Sequence, residues 1–143
     1  MRCNHLVRMV NWEAEASALQ DIRTTVFIQE QQVPVSLEWD EFDVISLHML
    51  AFNNYGKPVG TARLLPDGHI GRMAVLKEWR GKGYGSAMMH QILNELRSRD
   101  MQKGLLNAQT SAVKFYEKFG FQAYGEEFVE AGIPHVKMNY FLK

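Results

Sequence analysis

The stretch that decides the fold reads Val75-Leu76-Lys77-Glu78-Trp79-Arg80-Gly81-Lys82-Gly83-Tyr84-Gly85. It follows an apolar run typical of a β-strand, residues 70–75, and precedes an amphipathic helix pattern over residues 84–99. The first N–H groups of a helix have no partner within it and lie at the positive end of the helix dipole. Glycines let this backbone approach a ligand closely, and Arg80 adds a permanent fork-shaped positive charge. Residues 80–86 are therefore predicted to form a phosphate cradle.

Spacing separates the ligands that use such a cradle. A nucleoside-triphosphate loop requires Lys and then Ser or Thr after its last glycine, whereas Gly85 is followed by Ser86. The dinucleotide fingerprint Gly-x-Gly-x-x-Gly requires glycine at the position of Ser86 and an acidic residue at the end of the next strand, but Asp100 comes before that strand. Both nucleotide readings are therefore disfavoured, and a tight strand-to-helix turn without a ligand remains an alternative.

The remaining pattern, Arg80-x-x-Gly83-x-Gly85 after a strand, resembles the pyrophosphate-binding motif of the GNAT (Gcn5-related) N-acetyltransferases, which hold acetyl-coenzyme A. A second stretch, Ala112-x-x-Phe115-Tyr116-x-x-x-Gly120-Phe121, resembles the second coenzyme motif of that family. Residues 26–34 and 130–135 look like a small bacterial subgroup, the ElaA/YjcF type. The resemblance covers the chain from about residue 20 to its C-terminus.

The resemblance implies an α/β fold with a mixed, mostly antiparallel sheet of six or seven strands. This sheet is splayed at the coenzyme site and has helices on both faces. The order of predicted elements agrees, since a strand meander over residues 48–75 precedes a strand–helix–strand unit. We expect a helix over residues 13–29, with Ala14, Ala18, Ile22 and Val26 facing the core. The other expected inward residues are Ala87, Met88, Ile92 and Leu96 of the next helix, and Ala112, Phe115 and Phe119 of the last.

Coenzyme residues are assigned by the motifs. Arg80 and the backbone from Gly81 to Ser86, a range that includes Lys82, Gly83, Tyr84 and Gly85, would hold the diphosphate. The resemblance implies that the strand residues Met73, Ala74 and Val75 pair with the pantetheine arm, which Asn107 contacts from the opposite strand.

Transfer of an acetyl group to an amine needs a neutral nucleophile and a stabilised leaving thiolate. Tyr116 is the candidate general acid, because a tyrosine hydroxyl can hydrogen-bond a thiolate while it stays protonated at pH 7. The alternative for Tyr116 is an ordinary half-buried tyrosine.

The general base and the acceptor site stay open. The resemblance places Glu30, Glu127 and His135 near the acceptor mouth, and His135 is expected in a loop, directly after Pro134 of a turn at residues 132–134. Glu30 could equally be a surface residue, and His135 could cap a backbone carbonyl. Arg72 would meet an acceptor's phosphate or carboxylate, or form a buried ion pair. The acidic stretch 38–43 would attract a cationic amine or be an ordinary solvated loop.

Composition excludes several classes of protein. The chain has 143 residues, 46% of them apolar and 22% charged, with a formal net charge of zero, so we expect one globular domain over residues 1–143. A balanced charge gives no support for nucleic-acid binding, and no apolar run approaches a membrane span. The histidines and the lone Cys3 show no metal-ligand spacing, so no metal is expected. Cys3 and an N-terminus without a signal-peptide pattern favour the cytoplasm.

These observations predict an acetyl-CoA-dependent N-acetyltransferase that acts on a primary amine of a small molecule, such as an amino sugar or another metabolite. A peptide or protein acetyltransferase, acting on lysine or an N-terminus, is the alternative within the enzyme class. A non-catalytic acyl-CoA-binding module is the alternative from another class. The expected partners are acetyl-CoA and the amine, without nucleic acid or membrane, and a homodimer is implied by family analogy alone.

Overall fold

Residues 6–142 are described by a computed structural model of the chain. The strands are β1 (Leu6–Val10), β2 (Leu47–Phe52), β3 (Pro58–Leu64), β4 (His69–Val75), β5 (Lys103–Gln109), β6 (Gln122–Glu130) and β7 (Ile133–Phe141). The helices are α1 (Trp12–Arg23), continued by a π-helical turn (Thr24–Glu30), α2 (Val35–Glu38), α3 (Tyr84–Ser98) and α4 (Val113–Glu117). Short 3₁₀ turns at Lys77–Trp79 and Thr110–Ala112 precede α3 and α4. Cys3 and the N-terminal segment on which the signal-peptide argument depends lie outside the described residues.

The seven strands form one sheet in the order β1-β2-β3-β4-β5-β7-β6, in which only β4 and β5 are parallel neighbours. Successive side chains of a strand point to opposite faces, so Gly60 and Arg63 of β3 mark the two sides. A Cβ at Gly60 would lie 3.1 Å from Met88 of α3, whereas Arg63 pairs with Asp43, to which α1 is bound through Arg23. The predicted mixed sheet with helices on both faces is confirmed.

The sheet opens between β4 and β5. These strands pair only at His69 with Leu105 and at Ile70 with Leu106, although β4 continues to Val75 and β5 to Gln109. Just beyond the last pair, the register of β4 against β3 shifts, and Arg72 has a φ of +51°. A bulge of this kind bends a strand and increases its twist. The bulge therefore coincides with the point at which the two strands diverge.

The first helix differs from its prediction. It is not one α-helix over residues 13–29, because the α-helical hydrogen-bond pattern ends at Arg23 and a π-helical turn follows. The predicted inward stripe is wrong at Ala14, which is exposed. The buried face begins further along the chain and includes a charged residue; its members are Leu19, Ile22, Arg23, Val26 and Phe27.

Three further details differ from the sequence-based predictions, two of them near the C-terminus. Helix α4 is only five residues long, and its predicted core residues are half-buried, whereas Phe121 is 2% exposed. Residue Ala87 of α3 is likewise half-buried, while the rest of its predicted inward face is buried. The last turn lies at Ala131 and Gly132, with φ values of +53° and +78°, and not at residues 132–134. Two residues with positive φ make a tight hairpin turn, so His135 lies in β7.

Candidate active site

A cavity of about 620 Å³ lies at the opening between β4 and β5. Six of the residues predicted to bind the coenzyme line it: Met73, Ala74, Val75, Arg80, Asn107 and Tyr116. Strand β4 forms one wall. The opposite wall is formed by β5, the 3₁₀ turn at Thr110–Ala112 and α4. The two sequence motifs, about thirty residues apart, therefore meet at one cleft.

The phosphate cradle joins β4 to the start of α3. Gly81 and Gly83 have φ values of +75° and +92°, a conformation that costs side-chain-bearing residues energy, and Gly83 precedes α3 without a side-chain cap. A Cβ at Gly85 would lie 3.3 Å from the ring of Phe115, so this glycine lets α3 and α4 approach closely. The glycines thus have a structural role here besides any role in binding.

Two other cradle residues have side chains directed at protein. Tyr84 is 4% exposed and packs edge-on against Trp79, with ring centroids 6.3 Å apart. The Nζ of Lys82 lies 6.0 Å from the centroid of the same Trp79 ring. Tyr84 would therefore contribute to a coenzyme site through its backbone, as the sequence predicts for residues 81–86.

Arg80 makes three hydrogen bonds. Its Nε donates to the carbonyl oxygen of Val75 at 2.8 Å, and Nη1 and Nη2 donate to the two carboxylate oxygens of Glu30, each at 2.7 Å. The hydrogen bond from Arg80, helped by its charge, lowers the pKa of Glu30. Glu30 is not among the residues that line the cavity, so the structure pairs this base candidate with Arg80 and does not place it on the cavity wall.

Tyr116 lies on the cavity wall beside Phe115 and Phe121, with ring centroids 5.2 and 6.2 Å away. Burial raises the pKa of Tyr116 to about 12. Its hydroxyl neither donates a hydrogen bond to another residue in the range 6–142 nor accepts one from it. The group is thus protonated over the whole physiological range, with its hydroxyl available to a bound molecule.

His135 lines the cavity from β7 and is 7% exposed. Its Nδ1 lies 2.7 Å from the carbonyl oxygen of Ile133, and because a carbonyl only accepts, Nδ1 carries a proton. The neutral ring therefore has its lone pair on Nε2, which is 3.9 Å from a carboxylate oxygen of Glu130. Phe128 stacks on the ring at 5.8 Å. The prediction that His135 caps a carbonyl and the prediction that it accepts a proton are both compatible with this geometry.

Glu127 lies elsewhere. Its side chain is exposed on the edge strand β6, where the register against β7 shifts, and it does not line the cavity. The structure therefore does not bring Glu127 together with His135. The neighbouring acidic residue at the cavity is Glu130, which the sequence reasoning did not single out.

The acidic stretch 38–43 is mainly a buried ion-pair network. Arg23 is fully buried and binds Glu38 Oε2 at 2.7 Å and Asp43 Oδ1 at 2.8 Å. Burial raises the pKa of Glu38. Burial acts the same way on Asp43, but hydrogen bonding and charge from Arg23 outweigh it and lower the pKa of that carboxyl. The expectation of a solvated loop is wrong for Glu38 and Asp43, which are 2% and 3% exposed.

Arg72 belongs to the same network. Its Nε lies 3.2 Å from Glu38 Oε2, and its Nη2 lies 3.3 Å from Asp40 Oδ2. Of the two roles predicted for Arg72, the ion pair is present, and the residue also lines the cavity. Asp40 also pairs with Arg63 at 2.7 Å, so the side of the cavity that Arg72 lines is formed by paired charges.

A polar contact that the sequence reasoning missed crosses the cavity wall. Gln109 at the end of β5 donates from Nε2 to Oε1 of Gln31 at 2.8 Å, and both residues line the cavity. No local pattern signals this contact, because the two residues are 78 positions apart. It links the segment after the π-helical turn to β5.

This arrangement, a mixed sheet opened between two parallel strands beside a glycine-rich helix start, defines an N-acyltransferase fold with its active-site cleft. A family model described as an acetyltransferase (GNAT) domain matches residues 13–142. The chain belongs to the GNAT acetyltransferase family, as the two motifs predicted.

Relatives and solved structures agree. An uncharacterized N-acetyltransferase of Bacillus subtilis, YjcF, is 39% identical over 121 residues, which cover 82% of this chain and 86% of that protein. The crystal structure of Escherichia coli ElaA matches with a TM-score of 0.84 and 27% identity, covering 96% of this chain and 99% of that one. A GNAT acetyltransferase from Elizabethkingia anophelis, solved with acetyl-CoA bound, shares the fold with a TM-score of 0.73 and 15% identity, covering 99% and 100% of the two chains. The resemblance to the ElaA/YjcF subgroup is confirmed.

Two kinds of feature are absent from the described residues. No helix within residues 6–142 is long and apolar enough to cross a membrane. In the same part of the chain, no three or more His, Cys, Asp or Glu side chains form a group that could hold a metal ion.

Proposed function

We propose that this protein transfers the acetyl group of acetyl-CoA to a primary amine of a small molecule by direct attack on the thioester. The observation that carries the proposal is the single cavity that Tyr116 and His135 both line, at the opening between β4 and β5. The acetyl-CoA bound by the Elizabethkingia anophelis neighbour supports the choice of donor.

The diphosphate of the coenzyme would lie at the phosphate cradle, where the helix dipole and Arg80 favour negative charge. The pantetheine arm would follow β4 where that strand has lost its parallel partner, since β4 offers backbone groups there for strand addition. Asn107 lines the facing wall on β5. A backbone amide of β4 would polarise the thioester carbonyl as an oxyanion hole does.

Proton movement would involve two side chains. The Nε2 of His135 would take the proton of the attacking amine, since Nδ1 is committed to the carbonyl of Ile133. The carboxylate of Glu130, 3.9 Å away, would stabilise the resulting imidazolium. Tyr116 would donate a hydrogen bond to the departing thiolate. Arg72 and the paired charges beside it would form the surface that the acceptor contacts.

The walls of the cavity favour a small acceptor over a peptide. It is lined by residues from the segment 26–42 and by residues 130–135, and it is partly open to solvent. A concave pocket with walls from both segments suits a metabolite, whereas a peptide substrate would need an extended groove. A cytoplasmic location and a homodimer remain predictions from the cysteine content and from family analogy.

Isothermal titration with acetyl-CoA, with NAD and ATP as controls, tests the donor. Micromolar binding of acetyl-CoA alone supports the proposal, and thiol release with a panel of amino sugars, amino acids and lysine peptides then identifies the acceptor class. Binding without thiol release from any amine would favour the non-catalytic acyl-CoA-binding module. A folded protein that does not bind acetyl-CoA would contradict the proposal.

A further inference from the structure

The fork of Arg80 is already occupied by an anion. Both terminal nitrogens of its guanidinium bind the two oxygens of the Glu30 carboxylate at 2.7 Å, in a bidentate pair. A phosphate group presents two oxygens to an arginine fork with the same geometry. Glu30 thus makes the contact with Arg80 that a diphosphate oxygen pair would make.

The pair is also easy to break. The side chains of Arg80 and Glu30 are 39% and 37% exposed, and exposed ion pairs contribute little to stability because water and salt compete with them. The third hydrogen bond of Arg80, from Nε to the Val75 carbonyl, holds the guanidinium beside β4 independently of Glu30. Departure of the Glu30 carboxylate would therefore leave Arg80 in place with its fork open.

We propose that Glu30 competes with the coenzyme diphosphate for Arg80, so that coenzyme binding exchanges one anion for another. The inference rests on the proposed function and gives Glu30 a role in coenzyme affinity in place of the general-base role. An internal competitor weakens binding of acetyl-CoA and of the product CoA alike. It thereby speeds the release of CoA, and product release limits turnover in many enzymes.

The test is Glu30→Gln, which keeps the size of the side chain and removes its charge. We expect the variant to bind acetyl-CoA and ADP about fivefold more tightly, the factor that one unit charge at about 4 Å contributes in water. Binding of S-acetylpantetheine, which lacks the diphosphate, should not change. The gain should also shrink at high salt, because the interactions of exposed charges are screened.

Glu78→Gln is the matched control. Glu78 is an exposed carboxylate two residues before Arg80 whose charge acts on the arginine, while the side-chain hydrogen bonds of Arg80 go to Glu30 and Val75. A gain as large in this variant would indicate a general charge effect and overturn the exchange. In an Arg80→Gln background, Glu30→Gln should give no gain, since the contested fork is gone.

Affinity for acetyl-CoA that is unchanged or weaker in Glu30→Gln would overturn the inference and show that Glu30 holds Arg80 in its binding position. This outcome leaves the proposed function standing, because the wild-type protein still binds the donor. If neither the wild-type protein nor the variant binds acetyl-CoA while both are folded, the inference and the proposed function both fail.

Discussion

Substitution of Tyr116 by phenylalanine isolates the leaving-group step. The change removes one hydroxyl from the cavity wall and keeps the aromatic ring, which packs between Phe115 and Phe121. The hydroxyl makes no hydrogen bond with another residue in the described part of the chain, so its loss should leave the fold unaffected. A change in rate would therefore report on chemistry.

The raised pKa sets the size of the effect. A thiol has a pKa of about 8.5, so complete proton transfer from a group with a pKa of about 12 is uphill by a factor of more than about 10³. An ordinary tyrosine, with a pKa of about 10, would have a smaller mismatch with the thiol. Tyr116 should thus act as a hydrogen-bond donor to the developing thiolate, and loss of one such donor costs roughly 10²–10³ in rate. Affinity for acetyl-CoA should change by less than about threefold, because the hydroxyl would meet only the sulfur.

The assay is a single-turnover measurement of acetyl transfer, which removes any contribution from product release. Tyr124→Phe is the matched control, since Tyr124 is exposed on β6 and does not line the cavity. A Tyr116→Phe rate within about threefold of wild type, or an equal loss in Tyr124→Phe, would refute the reasoning.

The raised pKa of Tyr116 also predicts how the rate of acetyl transfer depends on pH. A donor acts while it is protonated, so its contribution is lost as pH rises through its pKa, which is about 12 for Tyr116 and about 10 for an ordinary tyrosine. The single-turnover rate of the wild-type protein should therefore not fall between about pH 9 and 10.5. A fall centred near pH 10 that is absent in Tyr116→Phe would show that the hydroxyl titrates normally.

Three further substitutions test other parts of the molecule. Arg23→Met leaves two buried carboxylates short of a partner, so the free energy of unfolding in urea should fall by about 3–5 kcal/mol; a loss below about 1 kcal/mol would mean that the neighbouring arginines compensate. Gly83→Ala and Gly125→Ala each put a Cβ at positive φ, so each should lower the free energy of unfolding by about 1–2 kcal/mol. Only Gly83→Ala should weaken acetyl-CoA binding in calorimetry. Equal affinities of the two variants for acetyl-CoA would argue against the phosphate cradle. His135→Gln should slow thiol release about 10²-fold at pH 7, with a deficit that shrinks as rising pH deprotonates the amine, while His90→Gln on the exposed face of α3 should have no effect; a deficit that does not change with pH would indicate a structural role for His135.

The sequence predicted the strand, the glycine-rich turn and the helix start because their signals are local. An apolar strand, Arg80 and the glycines that follow are contiguous in the chain between Ile70 and Gly85, so they are also adjacent in space. The Tyr116 motif is equally compact. For such segments the residue types alone carry the geometry, and the structure brings the two motifs to one cavity.

The side of the cavity that Arg72 lines was less predictable because its contacts join distant positions. Arg23 reaches partners 15 and 20 residues away, and no periodicity distinguishes a buried paired arginine from an exposed one. Its position on the apolar face with Ile22 and Val26 was the available signal. The location of His135 depended on where the last hairpin turns, and a shift of one or two residues there moved it from a loop into β7.

The opening between β4 and β5 divides the molecule along its sequence as well as in space. The strands β1–β4 come from residues 6–75 and the strands β5–β7 from residues 103–141, and within the described chain the two groups of strands are paired at two positions, His69 with Leu105 and Ile70 with Leu106. The chain passes between them through α3 and a turn in which Asp100 has a φ of +57°. A protein divided at that turn should therefore give two fragments that each retain a hydrogen-bonded set of strands. A donor held between β4 and β5, as proposed above, would favour their reassembly, so a divided chain would report on the binding of that donor.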